Sequence, residues 1–137
     1  MNRTPEESAN LATTMALFEA FGAGDVPAIL THLDPGIVID FYGPPVVPYA
    51  GHYEGLDEAR RFFETVLASV DIHRFHPDRF MADGPEVVVL GDLHLTARAT
   101  GRPIRSAFAH VITHRDGRWA HFRDFMNTVE AAGAFAG

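Results

Sequence analysis

GRWAHFRDFMNT, residues 117–128, divides into two faces when read with the period of a β-strand. Trp119, His121, Arg123 and Phe125 share one side; Ala120, Phe122, Asp124 and Met126 share the other. The second set is what a core-facing strand carries, except for one carboxylate. Ionising an acid between Phe122 and Met126 costs solvation free energy, so the position demands a reason.

Upstream of this stretch the strand pattern repeats. Strands read at about 71–82, 86–98, 102–115 and 118–127, separated by ADGP, ATGR and RDG, which are short enough for antiparallel hairpins. Earlier still the period becomes helical. Residues 6–22 place Leu11, Met15 and Phe18, with Ala12, Leu17 and Phe21, along a stripe closed by GAGD. Asp25 caps a short second helix, VPAILTHL, with Pro27 in its first turn. DPGIVIDFY is a turn and then a strand over roughly 36–42, and GPPVVPYAGHYEG is a long loop. EARRFFETVLASV is an amphipathic helix with Ala59, Phe62, Phe63, Val66, Leu67 and Val70 on one side. Helices followed by a meander give an α+β fold: a cone-shaped, strongly curved antiparallel sheet wrapped around three N-terminal helices. The tail VEAAGAFAG is expected to cover the open end.

Composition bounds the answer. The 137 residues suffice for one compact domain, and no repeat or linker divides them, so residues 1–137 are expected to form a single domain. Hydrophobic residues make up 47% and charged residues 21%, as in an ordinary globular protein. Eleven Phe promise an interior with large apolar walls. The absence of cysteine excludes disulfides, thiol catalysis and thiolate metal sites. MNRTPEESANL lacks the apolar core of a secretory signal, and no run approaches membrane-spanning length, so a cytoplasmic location is expected. A net charge of −7 without a basic run argues against nucleic acid as a partner.

The two faces of the sheet can be sorted strand by strand. Val87, Val89, Gly91, Leu93, Leu95 and Ala97 form an apolar set. In the following strand Ala107, Ala109, Val111 and Thr113 are small and face away from Phe108, His110, Ile112 and His114. The apolar and small sets are assigned to the concave face, where small side chains leave space for a pocket under the helices. The opposite face would then gather His94, Phe108, His110, Trp119, His121 and Phe125, a mixture suited to a homodimer interface. The plain alternative is a half-exposed sheet.

The order of parts resembles the nuclear-transport-factor-2-like superfamily of cone-shaped α+β barrels, which includes ketosteroid isomerase, limonene epoxide hydrolase and the SnoaL-like polyketide cyclases. The resemblance rests on FEAFGAGDVPAIL leading to DPGIVIDFYGPP, then YEGLDEARRFFETV, and finally TGRPIRSAFAHVITHRDGRWAHFRDFMNT. GPPVVPYAGHYEG together with FRDF looks most like the SnoaL-like branch. The fold hosts enzymes and non-catalytic binders alike. By resemblance, Asp40 falls where ketosteroid isomerase has its proton-shuttling aspartate, and Asp124 where limonene epoxide hydrolases have an essential one. The isomerase's oxyanion tyrosine aligns with Leu17 and its partner acid with Ala109. The hydrolase Arg-x-Asp pair falls near Gly91 and Leu93, where a one-residue slip in the strand would bring Asp92 inward. Neither complete constellation is therefore present.

Asp124 is the foremost candidate for acid–base chemistry, because an apolar wall disfavours the charged form of a carboxyl. The alternative is a structural Asp paired with a backbone donor, Arg105 or Arg123. Asp40, at the end of the first strand, is the second candidate; its alternative is a cap on the FYGPP turn. Tyr42, Tyr49 and His52 come from the loop rimming the cone and could donate to a developing enolate, unless they serve only to pack the loop. Eight histidines raise the question of a metal. His73 and His76 point to opposite faces, and His110 and His114 lie about 13 Å apart at strand rise, so no metal site is expected.

Together these readings give a cofactor-independent enzyme of isomerase or cyclase type, moving a proton next to the carbonyl of a small apolar compound. Asp124 and Asp40 would carry the proton, Tyr42, Tyr49 or His52 would orient the carbonyl, and Leu17, Phe21, Phe63, Leu93, Ala109, Val111, Phe122 and Met126 would line the cavity. The alternative is a non-catalytic ligand-binding or accessory domain of the same fold.

Overall fold

The computed structural model describes residues 2–137. Helix α1 (Pro5–Gly22) starts where Thr4 and Glu7 exchange hydrogen bonds: the Glu7 amide donates to the Thr4 hydroxyl (3.1 Å) and the Thr4 amide to the Glu7 carboxylate (2.9 Å). Pro5 at the first helical position removes an amide that would lack a partner. Helix α2 (Val26–Thr31) is capped by Asp25, whose carboxylate accepts from the Ala28 amide, as the sequence leads one to expect. Strand β1 (Leu33–Phe41) follows, then a short strand β2 (Gly51–Glu54) inside what reads as loop. Helix α3 (Gly55–Ser69), strands β3 (Val70–Asp83), β4 (Glu86–Ala97), β5 (Pro103–Arg115) and β6 (Arg118–Met126), and helix α4 (Thr128–Phe135) complete the chain.

The six strands form one curved, unclosed sheet in the order β2-β1-β6-β5-β4-β3. Every neighbouring pair is antiparallel except β1–β6, which run parallel, so the sheet is mixed where the hairpin pattern predicts an antiparallel one. Short turns dictate the direction of consecutive strands only. β1 and β6 come from opposite ends of the chain and meet without a hairpin.

Cross-strand register fixes which side chains share a face. Val87, Val89, Leu93, Leu95 and Ala97 of β4 are buried, as the sequence suggests. In β5 the assignment reverses: Ile104, Phe108, His110, Ile112 and His114 are buried, while Ala107, Ala109, Val111 and Thr113 face outward. The physical reason is bulk. Phe108 and Ile112 bury far more apolar area than Ala107 and Ala109, and the two histidines travel with them on the same period. Gly91, opposite Phe108, permits this: a Cβ there would lie 2.6 Å from the Phe108 ring and 2.2 Å from the His76 carbonyl oxygen. In β6 a register irregularity between the Thr113 and His114 pairs turns Trp119 inward alongside Phe122. Trp119 is fully buried.

Three of the six side chains expected on the outer face, Phe108, His110 and Trp119, thus belong to the interior, while His94, between the buried Leu93 and Leu95, does face outward. His121 and Phe125 do face outward, on the side of the sheet that also carries Asp40.

Candidate active site

Under the helices the concave face encloses a cavity of about 70 Å³. A single buried water needs roughly 10–15 Å³ on this measure, so the space accommodates a small organic group. Leu17, Phe21, Phe63, Leu93, Phe122 and Met126 line it, together with Asp124 and Tyr49. Other aromatic walls, among them Phe18, Phe41, Phe62, Phe75 and Trp119, are lining residues that the strand-by-strand reading leaves out.

The polar corner is small and specific. β6 and β5 place Asp124 and His110 directly opposite each other in register, so both side chains enter the cavity from neighbouring strands. His110 Nε2 lies 3.2 Å from Asp124 Oδ1, with the two side chains 6% and 15% exposed. The imidazole is wedged among rings: Phe108 at 4.4 Å, Phe122 at 4.9 Å and Phe75 at 5.9 Å between centroids. That packing fixes its orientation toward the carboxylate. Phe41 of β1 pairs with Asp124 from the other side, closing the corner.

Tyr49 reaches the cavity from the β1–β2 connection. Its ring meets Phe41 edge-on at 5.0 Å and Phe135 of α4 at 5.9 Å, and its carbonyl accepts the Tyr53 hydroxyl at 3.0 Å. Burial, reinforced by the nearby Asp124 charge, pushes the Tyr49 phenol well above its ordinary pKa. It therefore stays neutral and remains a donor. Among the described residues, three buried side-chain polar atoms have no hydrogen-bond partner: Arg123 Nε, and on cavity-lining residues the Tyr49 hydroxyl and His110 Nδ1. Such groups are rare in a settled interior, and the two on cavity-lining residues are what a ligand would satisfy.

The remaining expectations for the site fall elsewhere. Asp40 alternates with the buried Ile39 and Phe41, so strand geometry turns it to the outer face. There it accepts from His121 Nε2 at 2.8 Å and pairs with His52 Nδ1. Burial opposes its ionisation, but the two histidine hydrogen bonds outweigh this and hold the carboxyl below its usual range. His52 is half-exposed beside Asp40 and Glu54 and also lies outside the cavity. Tyr42 stacks on Phe125 at 5.0 Å on the protein surface. Ala109 and Val111 face outward with the rest of their set. Asp92 also points away, held by Arg74. Arg123 turns outward toward Glu86, so it does not pair with Asp124.

Among the described residues no group of three His, Asp or Glu side chains is arranged to hold a metal ion. No helix of the structure is long and apolar enough to cross a membrane.

His110 is the polar residue of the cavity that the face assignment misplaces. Two signals point to it: it shares a period with Phe108 and Ile112, and it stands opposite Asp124 once the RDG hairpin is closed.

Comparison with known proteins bears on the fold and the family. The structure superimposes on an NTF2-like protein of unknown function from Burkholderia pseudomallei with a TM-score of 0.84 at 29% identity, covering 94% of this chain and 98% of the other. A candidate isomerase from Bacillus subtilis gives a TM-score of 0.84 at 21% identity, with 98% and 97% covered. A candidate SnoaL-like polyketide cyclase from Jannaschia gives 0.83 at 17%, with 100% and 98% covered. At such identities the last two establish the fold alone. No curated protein matches the chain. The family model described as "SnoaL-like domain" matches residues 15–122, a span running from α1 to the middle of β6, and the chain belongs to the SnoaL-like domain family.

Proposed function

We propose that this protein is an acid–base enzyme that moves a proton at the carbon next to a carbonyl in a small, largely apolar compound. The observation that carries the reading is the Asp124–His110 pair, 3.2 Å apart in an otherwise aromatic cavity. Asp124 is the proton acceptor: its carboxylate takes the proton from the activated carbon as the electron pair moves onto the carbonyl oxygen. The Tyr49 hydroxyl, neutral and without a partner, donates to the enolate oxygen so formed. His110 holds the carboxylate in position and faces its charge with Nε2. Asp124 then returns the proton to a different carbon, completing an isomerisation. Alternatively the enolate carbon attacks a second carbonyl, and the new alkoxide takes the proton, completing an aldol-type cyclisation. The names of the fold neighbours, candidate isomerase and candidate polyketide cyclase, agree with both outcomes.

The test is enolisation of a simple aryl ketone. Exchange of the protons beside the carbonyl of α-tetralone in heavy water, followed by NMR, should be accelerated by the parent protein. Asp124→Asn should lower the acceleration by roughly 10²–10⁴-fold, the usual worth of a positioned base. His110→Gln should reduce it less. An Asp124→Asn variant as active as the parent would sink the assignment. Tight ketone binding with no exchange would instead identify a ligand-binding domain.

A further inference from the structure

A second depression lies on the far side of the cavity's aromatic wall. It is a groove of about 420 Å³ between α1 and the edge strand β3, and its apolar lining is Met15, Phe18, Phe21, Ile72, Phe75 and Phe80. Three of these, Phe18, Phe21 and Phe75, also line the inner cavity. The two spaces are thus separated by a wall one ring thick, its members in contact at 5.6 Å (Phe18–Phe75) and 5.3 Å (Phe21–Phe75).

The wall is built on parts that can yield. β3 is paired on one side only, and its register shifts between Ile72 and Arg74 and again between Pro77 and Arg79. Phe75 sits between those two irregularities. Bulged segments of this kind re-aim side chains, and they cluster beside functional sites. All three rings are only partly buried. On the groove's lips Met15 is 48% exposed and Ile72 37% exposed, apolar groups placed opposite each other on different elements.

Of the groove's charged and polar lining residues, Glu19 is exposed to solvent and the other two are engaged. Arg74 is paired with Asp92, and His73 Nε2 is hydrogen-bonded to Thr96 at 2.7 Å. Apart from the Glu19 carboxylate, what the groove offers a ligand is apolar surface.

We propose that the groove is the outer chamber of the same binding site. The ligand is then elongated: an oxygenated planar head meets Asp124, His110 and Tyr49, and an apolar tail passes between Phe21 and Phe75 onto Met15 and Ile72. This rests on the reading of the inner cavity as the place where the oxygenated head binds.

A series of para-alkylphenols, from cresol to the octyl member, tests it. Trp119, the chain's single tryptophan, lines the inner cavity, so its fluorescence reports where the phenol head binds. In the parent protein Kd should fall with each added methylene through the long members, by up to about fourfold per fully buried methylene. In the double variant Met15→Glu, Ile72→Glu, cresol should bind as before while the gain for the long members disappears. Both positions are exposed, so the variant should fold, and circular dichroism checks that it does. A plateau after the shortest members overturns the proposal. So does an unchanged chain-length dependence in the double variant, or no binding anywhere in the series. Ketone exchange needs no tail, so a failure of the catalytic reading is seen separately, as a chain-length dependence that persists without exchange.

Discussion

His52 stands between Glu54 and Asp40, 2.9 Å from the first, and their hydrogen bonds raise its pKa from 6.5 to about 9. A histidine whose folded pKa is raised contributes stability that is complete below 6.5 and lost as pH rises through about 9. The contribution is small, because His52 is open to solvent. Thermal midpoints of the parent and His52→Gln should therefore differ at pH 6 and converge above pH 9; a difference of constant size would refute the ion-pair account. Gly91 offers a prediction independent of charge. An added methyl would collide with the His76 carbonyl and with the Phe108 ring, which packs on His110. Gly91→Ala should cost about 1–3 kcal/mol in urea unfolding, as overpacking of a filled interior does. A variant as stable as the parent would show that β3 can move aside freely.

Elements meet through a few polar links, and the join between α1 and the sheet illustrates how they work. Trp119 Nε1 donates to the Thr14 hydroxyl at 3.2 Å, and that hydroxyl is 3.1 Å from His114 Nε2. His114 Nδ1 in turn lies 3.0 Å from the Pro85 carbonyl, which can only accept. The chain of bonds has one consistent polarity: Nδ1 carries the proton, and Nε2 accepts from Thr14. Burial depresses the His114 pKa and so favours this neutral form. Thr14→Val preserves shape but strands two buried groups, and should cost about 1–3 kcal/mol by chemical denaturation. At the same scale lies the difference between what could and could not be read from sequence. β4 is legible because Val87 to Ala97 forms an unbroken apolar set. β5 is not, because its inward set carries His110 and His114, and polarity misleads where bulk decides. The inward turn of Trp119 depends on a bulge that leaves no mark in the alternation. β2 is four residues long and contains a glycine, too little for a periodic signal. For the site, Asp124 and Tyr49 could be found from composition and place. His110 required the register between β5 and β6.

The whole molecule closes by joining its ends. β6 sits between β5 and β1, and Trp119 is tied to Thr14, 105 residues away in sequence, and through its amide to the His32 carbonyl. Cavity and fold are consequently formed by the same event: Phe41, Tyr49, His110 and Asp124 converge only when the parallel β1–β6 pair is made. Folding dominated by such distant contacts is slow, because loop-closure entropy is spent before the contacts repay it. Trp119 is the single fluorophore of its kind and lies at that junction, so its signal follows closure directly. In refolding from urea, its native fluorescence should appear over milliseconds to seconds. At equilibrium, its transition should coincide with the loss of secondary structure seen by circular dichroism, as expected of one cooperative unit. Recovery of the native Trp119 signal within microseconds, or a fluorescence transition well before the loss of the sheet, would mean that α1, α2 and β6 assemble without the rest. The cavity would then be a local structure, separable from the global fold.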